Sequence, residues 1–363
     1  MIDYVSKYRK VIAQFAEKNI DALLLSNPSN LRYLSGLLMS DAEFVLTPGQ
    51  SALFVDSRYL LEAQERELPF PVEVIQFKDK YQTIADWLSS HNLHRIGIES
   101  DFVSYHNFFT WQEKISGQLI PCRGMVENAR IRKDEAEVQL ILQAIDIVAK
   151  VIEKIPDLFS NFLQITERDV SLEIEYLMKR GGAERTAFDI IVASGERAAM
   201  PHAAPVDRKL RPQEVVLIDL GAAFEGYHSD VTRTFWLGEE SKEAKELFHI
   251  LKSAQQAAID HVRPGVSARD VDAAARQVID QAGYGQFFGH GTGHGVGIEV
   301  HELPRIAPPS ETVLEEGMVF TVEPGIYLPG RLGLRLEDMV LVTPQGCQIL
   351  SSAIAREMVV VGS

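Results

Sequence analysis

Four apolar runs in this chain each carry a carboxylate where a core strand rarely tolerates one. Asp219 interrupts VVLIDLGA, Asp230 opens DVTRTF, Glu323 lies inside VFTVEPGIY, and Glu337 lies inside LRLEDMVLV. An ionised group among buried side chains is costly unless it is paired or bound to a metal. One such residue could mark the solvent side of a half-exposed strand. Four of them constrain the fold much harder, because they must converge on something that compensates their charge. Asp230 follows Asp219 by eleven residues, so a short hairpin return would bring the two side by side.

The stretch GHGTGHGVGIEVHE, residues 289–302, sets three histidines among glycines. A dinucleotide fingerprint needs a glycine three places after its second one. Counting from Gly289, Gly291, Gly293 or Gly295 puts His294, Val296, Ile298 or Val300 there, so every frame fails. No G-K-[ST] stands nearby, and spacing excludes a nucleotide loop. The glycines at 291, 293 and 295 argue against a helix, and HELPR is not H-E-x-x-H, which excludes a zincin helix. The glycines are expected to let the backbone crowd its surroundings while the histidines point inward. Metal binding remains open.

With 363 residues the chain fits two domains better than one. A net charge of −15 excludes the basic footprint of a nucleic-acid binder. The two cysteines, Cys122 and Cys347, cannot build a disulfide framework, and a reducing cytoplasm is the simpler expectation. No run approaches the ~18 apolar residues of a membrane span, and the N-terminus has no apolar signal core. These features predict a soluble cytoplasmic protein with no membrane and no nucleic-acid partner.

Along residues 4–18 apolar positions recur at helical spacing, and ALLLS (22–26) reads as a buried strand ended by a turn at NPSN. Residues 43–56 read as two strands around a Pro-Gly turn, and 72–77 and 95–100 as further strands separated by an amphipathic stretch at 81–91. The first part is therefore an α/β domain. From Arg132 the texture changes. Helices are expected over 133–155, 165–180, 241–262 and 267–283, the second capped by Thr166 and Asp169. Strand-like runs at 214–224, 230–237, 318–328 and 333–343 make this an α+β domain with a largely antiparallel sheet.

The motifs IDLGA (218–222), HSDVTRTF (228–235), GHGTGHGVGIEVHE, TVEPGIY (321–327) and LRLEDMV (334–340) together resemble the pita-bread metallopeptidases, in the Xaa-Pro dipeptidase (prolidase) and aminopeptidase P branch. The resemblance covers nearly the whole chain. It implies a creatinase-like N-terminal domain at 1–128 and a dinuclear-metal pita-bread domain at 129–363. It implies metal ligands at Asp219, Asp230, His294, Glu323 and Glu337, with Asp230 and Glu337 bridging. An oxygen-rich set suits manganese, with cobalt, iron or zinc as alternatives. Two divalent cations would activate a water and polarise the scissile carbonyl, with Glu323 as proton shuttle. His202 and His301 are expected to hydrogen-bond the developing oxyanion, and His290 to line the pocket around the proline ring. Tyr327 matches a tyrosine beside the metals. Arg335 is expected to hold Glu337 or Asp219 in place. The remaining histidines, including His228, are given no ligand role.

Arg305 resembles an arginine that prolidases set near the substrate's free carboxylate, which favours Xaa-Pro dipeptides. The alternatives are an aminopeptidase P acting on longer peptides and a noncatalytic peptide-binding relative of the fold. Relatives of the latter kind typically lose ligands, and this chain has lost none. The family's habit implies a homodimer.

Overall fold

The computed structural model describes residues 2–362. The chain divides into two compact units, Met1–Arg130 and Ile131–Ser363. No helix among the described residues is long and apolar enough to cross a membrane.

The first unit is built on a six-stranded sheet. Its strands are β1 (Ala22–Leu25), β2 (Ala42–Leu46), β3 (Ser51–Val55), β4 (Val72–Gln76), β5 (Arg95–Glu99) and β6 (Gln118–Cys122), in the order β4-β3-β2-β1-β5-β6. β2 and β3 pair antiparallel across the Pro-Gly turn, and β1 pairs antiparallel with β2. β4, β5 and β6 join in parallel through helices. Every residue of β1 to β3 is buried. The core on one side joins Leu24 and Phe54 to Trp87 and Trp111 of the flanking helices.

Two details depart from the sequence reading. The helical pattern over 4–18 splits into Tyr4–Ile12 and Phe15–Lys18, the second ended by left-handed Asn19. NPSN is a helix start rather than a turn. Asn27 caps the helix Pro28–Ser35 by accepting from the Ser29 amide, and Pro28 occupies the first helical position, where it loses no hydrogen bond.

The second unit carries the four expected helices as Glu135–Ile152, Glu167–Arg180, Lys242–His261 and Ala268–Gln281. Reciprocal capping boxes open the first two, Asp134 with Glu137 and Thr166 with Asp169. The strands form several small sheets rather than one. These strands are β7 (Arg185–Thr186), β8 (Ile191–Ser194), β9 (Glu214–Leu220), β10 (Ala222–Phe224), β11 (Tyr227–His228), β12 (Val231–Leu237), β13 (Gly293–Gly295), β14 (Glu302–Ile306), β15 (Val319–Val322), β16 (Gly325–Leu328), β17 (Leu332–Arg335), β18 (Asp338–Thr343), β19 (Gly346–Ile349) and β20 (Val359–Val361). Their orders are β11-β10-β7, β20-β12-β9-β8, β14-β13-β15-β18-β19 and β16-β17. Pairing is antiparallel except between β12 and β20.

The runs at 318–328 and 333–343 are not continuous strands. β15 pairs with β18, β16 pairs with β17, and the chain changes sheet at Glu323-Pro324 on one side and Leu336-Glu337 on the other. Pro324 has no amide proton to continue a ladder, which fits a break at this point. Both glutamates therefore sit at a kink and not inside a strand.

Candidate metal centre

The β9–β12 hairpin supplies the first two carboxylates. Its register sets Thr232 opposite Asp219 and Val231 opposite Leu220. Directly opposed residues of an antiparallel pair share a face, as do positions two apart, so Asp219, Thr232 and Asp230 lie together. All seven residues of each strand are buried. The hairpin return expected between Asp219 and Asp230 is present, and it contributes a threonine that the sequence reading did not single out.

The kink supplies the two glutamates. The Glu323 amide donates to the Thr292 carbonyl at 2.7 Å and the Glu337 amide to the Thr232 carbonyl at 3.3 Å, so both residues are pinned by their backbones. The Thr232 hydroxyl donates to Glu337 Oε2 at 2.7 Å, and Thr321 Oγ1 donates to Glu323 Oε1 at 3.2 Å. From behind, the buried Arg233 guanidinium donates to the backbone carbonyls of Thr232 and Glu337 while pairing with Asp338 at 2.7 Å.

His294 comes from β13. Its Nδ1 lies 3.1 Å from the Gly295 carbonyl, a pairing that requires Nδ1 to carry the proton and leaves Nε2 as a bare acceptor. That Nε2 stands 3.4 Å from Glu323 Oε1 and 3.6 Å from Asp230 Oδ2. Ligand atoms of Asp230, His294 and Glu337 all fall within 4.8 Å of one another.

Arg335, at the end of β17, ties the cluster together. It donates from Nη2 to Asp219 Oδ2 at 2.5 Å, from Nε to Thr232 Oγ1 at 2.9 Å, and from Nη1 to the Tyr327 hydroxyl at 3.0 Å and the Pro201 carbonyl at 3.2 Å. Of the two carboxylates offered as its partner, it grips Asp219 directly and reaches Glu337 only through Thr232. Burial works against its charge, but Tyr327, Asp219, Glu323 and Glu337 around it hold the guanidinium firmly protonated.

The electrostatics demand a cation. Burial, and then the neighbouring carboxylates, push Asp230 and Glu337 well above the usual carboxylate range, and burial raises Glu323 too. Burial lowers His294, which keeps its Nε2 lone pair available. Asp219 Oδ1 and Glu337 Oε1 are buried with no hydrogen-bond partner. Several acceptor atoms thus face one another with one guanidinium to offset them. Such a set fits hard or borderline divalent ions.

The other expected site residues lie around this cluster. His301 packs its ring on His294 at 4.2 Å between centroids. Lost hydration, followed by the His294 ring, pushes its pKa down to about 4. His202 is exposed beside Pro201, the residue whose carbonyl Arg335 holds. His290 pairs through Nε2 with the Tyr327 hydroxyl at 2.9 Å, and burial pushes that hydroxyl up to about 12. Arg305 sits across from His294 on β14 with its side chain exposed. His228, given no ligand role, points to Arg185 and the Gly297 carbonyl. The glycines crowd protein rather than ligand: a Cβ at Gly293 would collide with the Thr321 carbonyl, and one at Gly295 with that of Leu303.

Residues 139–344 match metallopeptidase family M24, and residues 7–132 match the creatinase/prolidase N-terminal domain. An Xaa-Pro dipeptidase of Pyrococcus horikoshii is 36% identical, over 99% of this chain and 100% of its own. Among solved structures, an Xaa-Pro dipeptidase from Bacillus anthracis superposes with a TM-score of 0.94 at 33% identity, covering 99% of this chain and 100% of that one. An X-Pro aminopeptidase from Thermotoga maritima gives 0.88 at 36% identity, over 94% and 98%.

Proposed function

Because this chain belongs to metallopeptidase family M24, we infer that it works as a metal-dependent Xaa-Pro dipeptidase, hydrolysing the bond between an N-terminal residue and proline. The fold is that of the prolidases, a creatinase-like N-terminal domain followed by a pita-bread catalytic domain. The observation that carries the activity is the convergence of Asp230, His294 and Glu337 from three separate segments onto one point. The domain boundary at 128/129 is our reading, supported by a division into compact units two residues later.

Asp219, Asp230, His294, Glu323 and Glu337 would hold two divalent cations, manganese by the oxygen-rich donor set, with cobalt, iron or zinc as alternatives. When bound, these supply Lewis acidity to the scissile carbonyl and to the attacking water. Glu323 is the base: its carboxylate takes the proton from the water and returns it to the proline nitrogen as the peptide bond breaks. His301, neutral at physiological pH, and His202 each offer an N–H to the oxyanion developing on the substrate carbonyl. Tyr327 and Arg335 fix the frame behind the base. Arg305, on the strand beside His294, suits the free carboxylate of a dipeptide. We place the enzyme in the cytoplasm as a homodimer.

The decisive experiment reloads metal-free protein with manganese, cobalt, iron or zinc and assays an Xaa-Pro dipeptide beside an Xaa-Pro-Xaa tripeptide. Cleavage of the dipeptide in preference supports the reading. Comparable rates on the tripeptide favour aminopeptidase P, a reading that the similarity to the Thermotoga maritima structure keeps in view. Cleavage of neither with any metal defeats both and leaves a noncatalytic peptide binder.

A further inference from the structure

The helix Ala268–Gln281 takes no part in the cluster of carboxylates, yet it reaches the loop that precedes His294 at four points. Asp272 is buried, and its Oδ1 accepts from the Thr292 amide at 3.0 Å and from the Thr292 hydroxyl at 2.9 Å. Arg276, one turn on, pairs with both oxygens of Asp272 at 2.9 and 2.8 Å. The same guanidinium donates to the Phe288 carbonyl at 3.0 Å and to the His290 carbonyl at 2.9 Å, and it lies 4.3 Å over the Phe288 ring. His290 is thus gripped from both sides along the backbone.

Its side chain is equally committed. The Nδ1 donates to the Gly291 carbonyl at 2.7 Å, so Nε2 accepts from the Tyr327 hydroxyl, whose oxygen in turn accepts from Arg335. Phe288 meets the ring edge-on at 5.1 Å. With both nitrogens engaged, the imidazole has only its carbon face left to present. It is a wall, not a donor, and suits the apolar ring of a proline.

We propose that Asp272 and Arg276 are positioning residues that set the His290 wall and thereby the enzyme's selectivity for proline in the second substrate position. This rests on the Xaa-Pro reading above. Two fixed carbonyls and a salt-bridged carboxylate hold the loop at a depth that a shorter or less forked cation cannot reproduce.

The test uses full-length Arg276→Lys, which keeps the charge beside Asp272 but lacks the fork, with Arg276→Ala beside it. For Arg276→Lys, KM for an Xaa-Pro dipeptide should rise about ten-fold and the preference over Xaa-Ala should fall by a similar factor. The kcat should stay within about three-fold and bound metal unchanged. In a His290→Ala background the same substitution should have no further effect, whereas in a His202→Ala background its effect should persist in full. Amide exchange across 288–292 of the metal-free protein should quicken, a readout that survives even if the wild type cleaves no Xaa-Pro bond and the functional reading falls. An unchanged KM, an effect additive with His290→Ala, or unaltered exchange in both variants would overturn the proposal.

Discussion

Arg335 Nη2 and Asp219 Oδ2 meet at 2.5 Å with both side chains buried, so a metal-ligand candidate is held by a guanidinium from a strand of a different sheet. The same guanidinium also donates from Nε to Thr232 and from Nη1 to Tyr327 and the Pro201 carbonyl. Asp219 therefore has one oxygen committed to the protein and one, Oδ1, with no hydrogen-bond partner.

Arg335→Met should release Asp219 into a cluster of like charges. Breaking a buried pair by removing one partner costs about 3–5 kcal/mol, and displacing such outer partners costs metal affinity about 10–100-fold. Chemical denaturation of the metal-free protein and a manganese titration measure the two effects. Unchanged affinity would show that Asp219 needs no help to stay in place.

Thr232→Val keeps the shape of the side chain and removes the hydroxyl that donates to Glu337 and accepts from Arg335. A loss of about 1–3 kcal/mol is expected, because two buried partners lose a hydrogen bond at once. Metal content after dialysis should fall with it. A variant as stable and as fully loaded as the wild type would remove Thr232 from the site.

His202→Ala should lower kcat by about 10²–10³, the size expected for losing one oxyanion donor, with bound metal unchanged. Steady-state kinetics and elemental analysis on the same sample decide it. Loss of metal would instead make His202 a ligand.

Chelation should destabilise the second unit, where buried carboxylates face one another, and leave the first unit's transition in place. Readdition of manganese at a hundred times its dissociation constant should restore about 2.7 kcal/mol for each site filled. Trp236 reports on the second unit and Trp87 and Trp111 on the first, so single-tryptophan variants separate the signals.

The first unit has its own pH dependence. Glu99 ends β5 and accepts from the amides of Ser26 and Asn27 and from the Asn30 side chain. Burial outweighs these donors and raises its pKa from 4.5 to about 7. A carboxyl raised on folding binds a proton in the native state when the unfolded chain has lost it. Its contribution is therefore full below about pH 4.5 and declines as pH climbs to about 7, by on the order of 3 kcal/mol. Glu99→Gln should flatten the stability of this unit across that window when followed by its two tryptophans. An unflattened profile would mean the three donors keep the carboxylate ionised throughout.

Much of this protein was legible in one dimension. The helix start at Thr166 with Asp169 and the Asp219–Asp230 hairpin depend on residues close in sequence, and local spacing settles them. NPSN is local too: a turn and a helix start share its residue types, and Pro28 directly after the capping Asn27 makes it the helix start. Carboxylates in apolar runs announced themselves by their cost. What only the tertiary structure decided are pairings across long separations. Arg335 chooses Asp219 over Glu337 at a sequence distance of 116 residues. Thr232 enters the site because the strand register puts it opposite Asp219. Glu323 and Glu337 lie at a kink because two sheets part there. Asp272 and Arg276, one turn apart on a helix, turn toward the histidine loop. Periodicity says which face of an element is buried. The partner that face meets is fixed by register and packing among segments that no local pattern links.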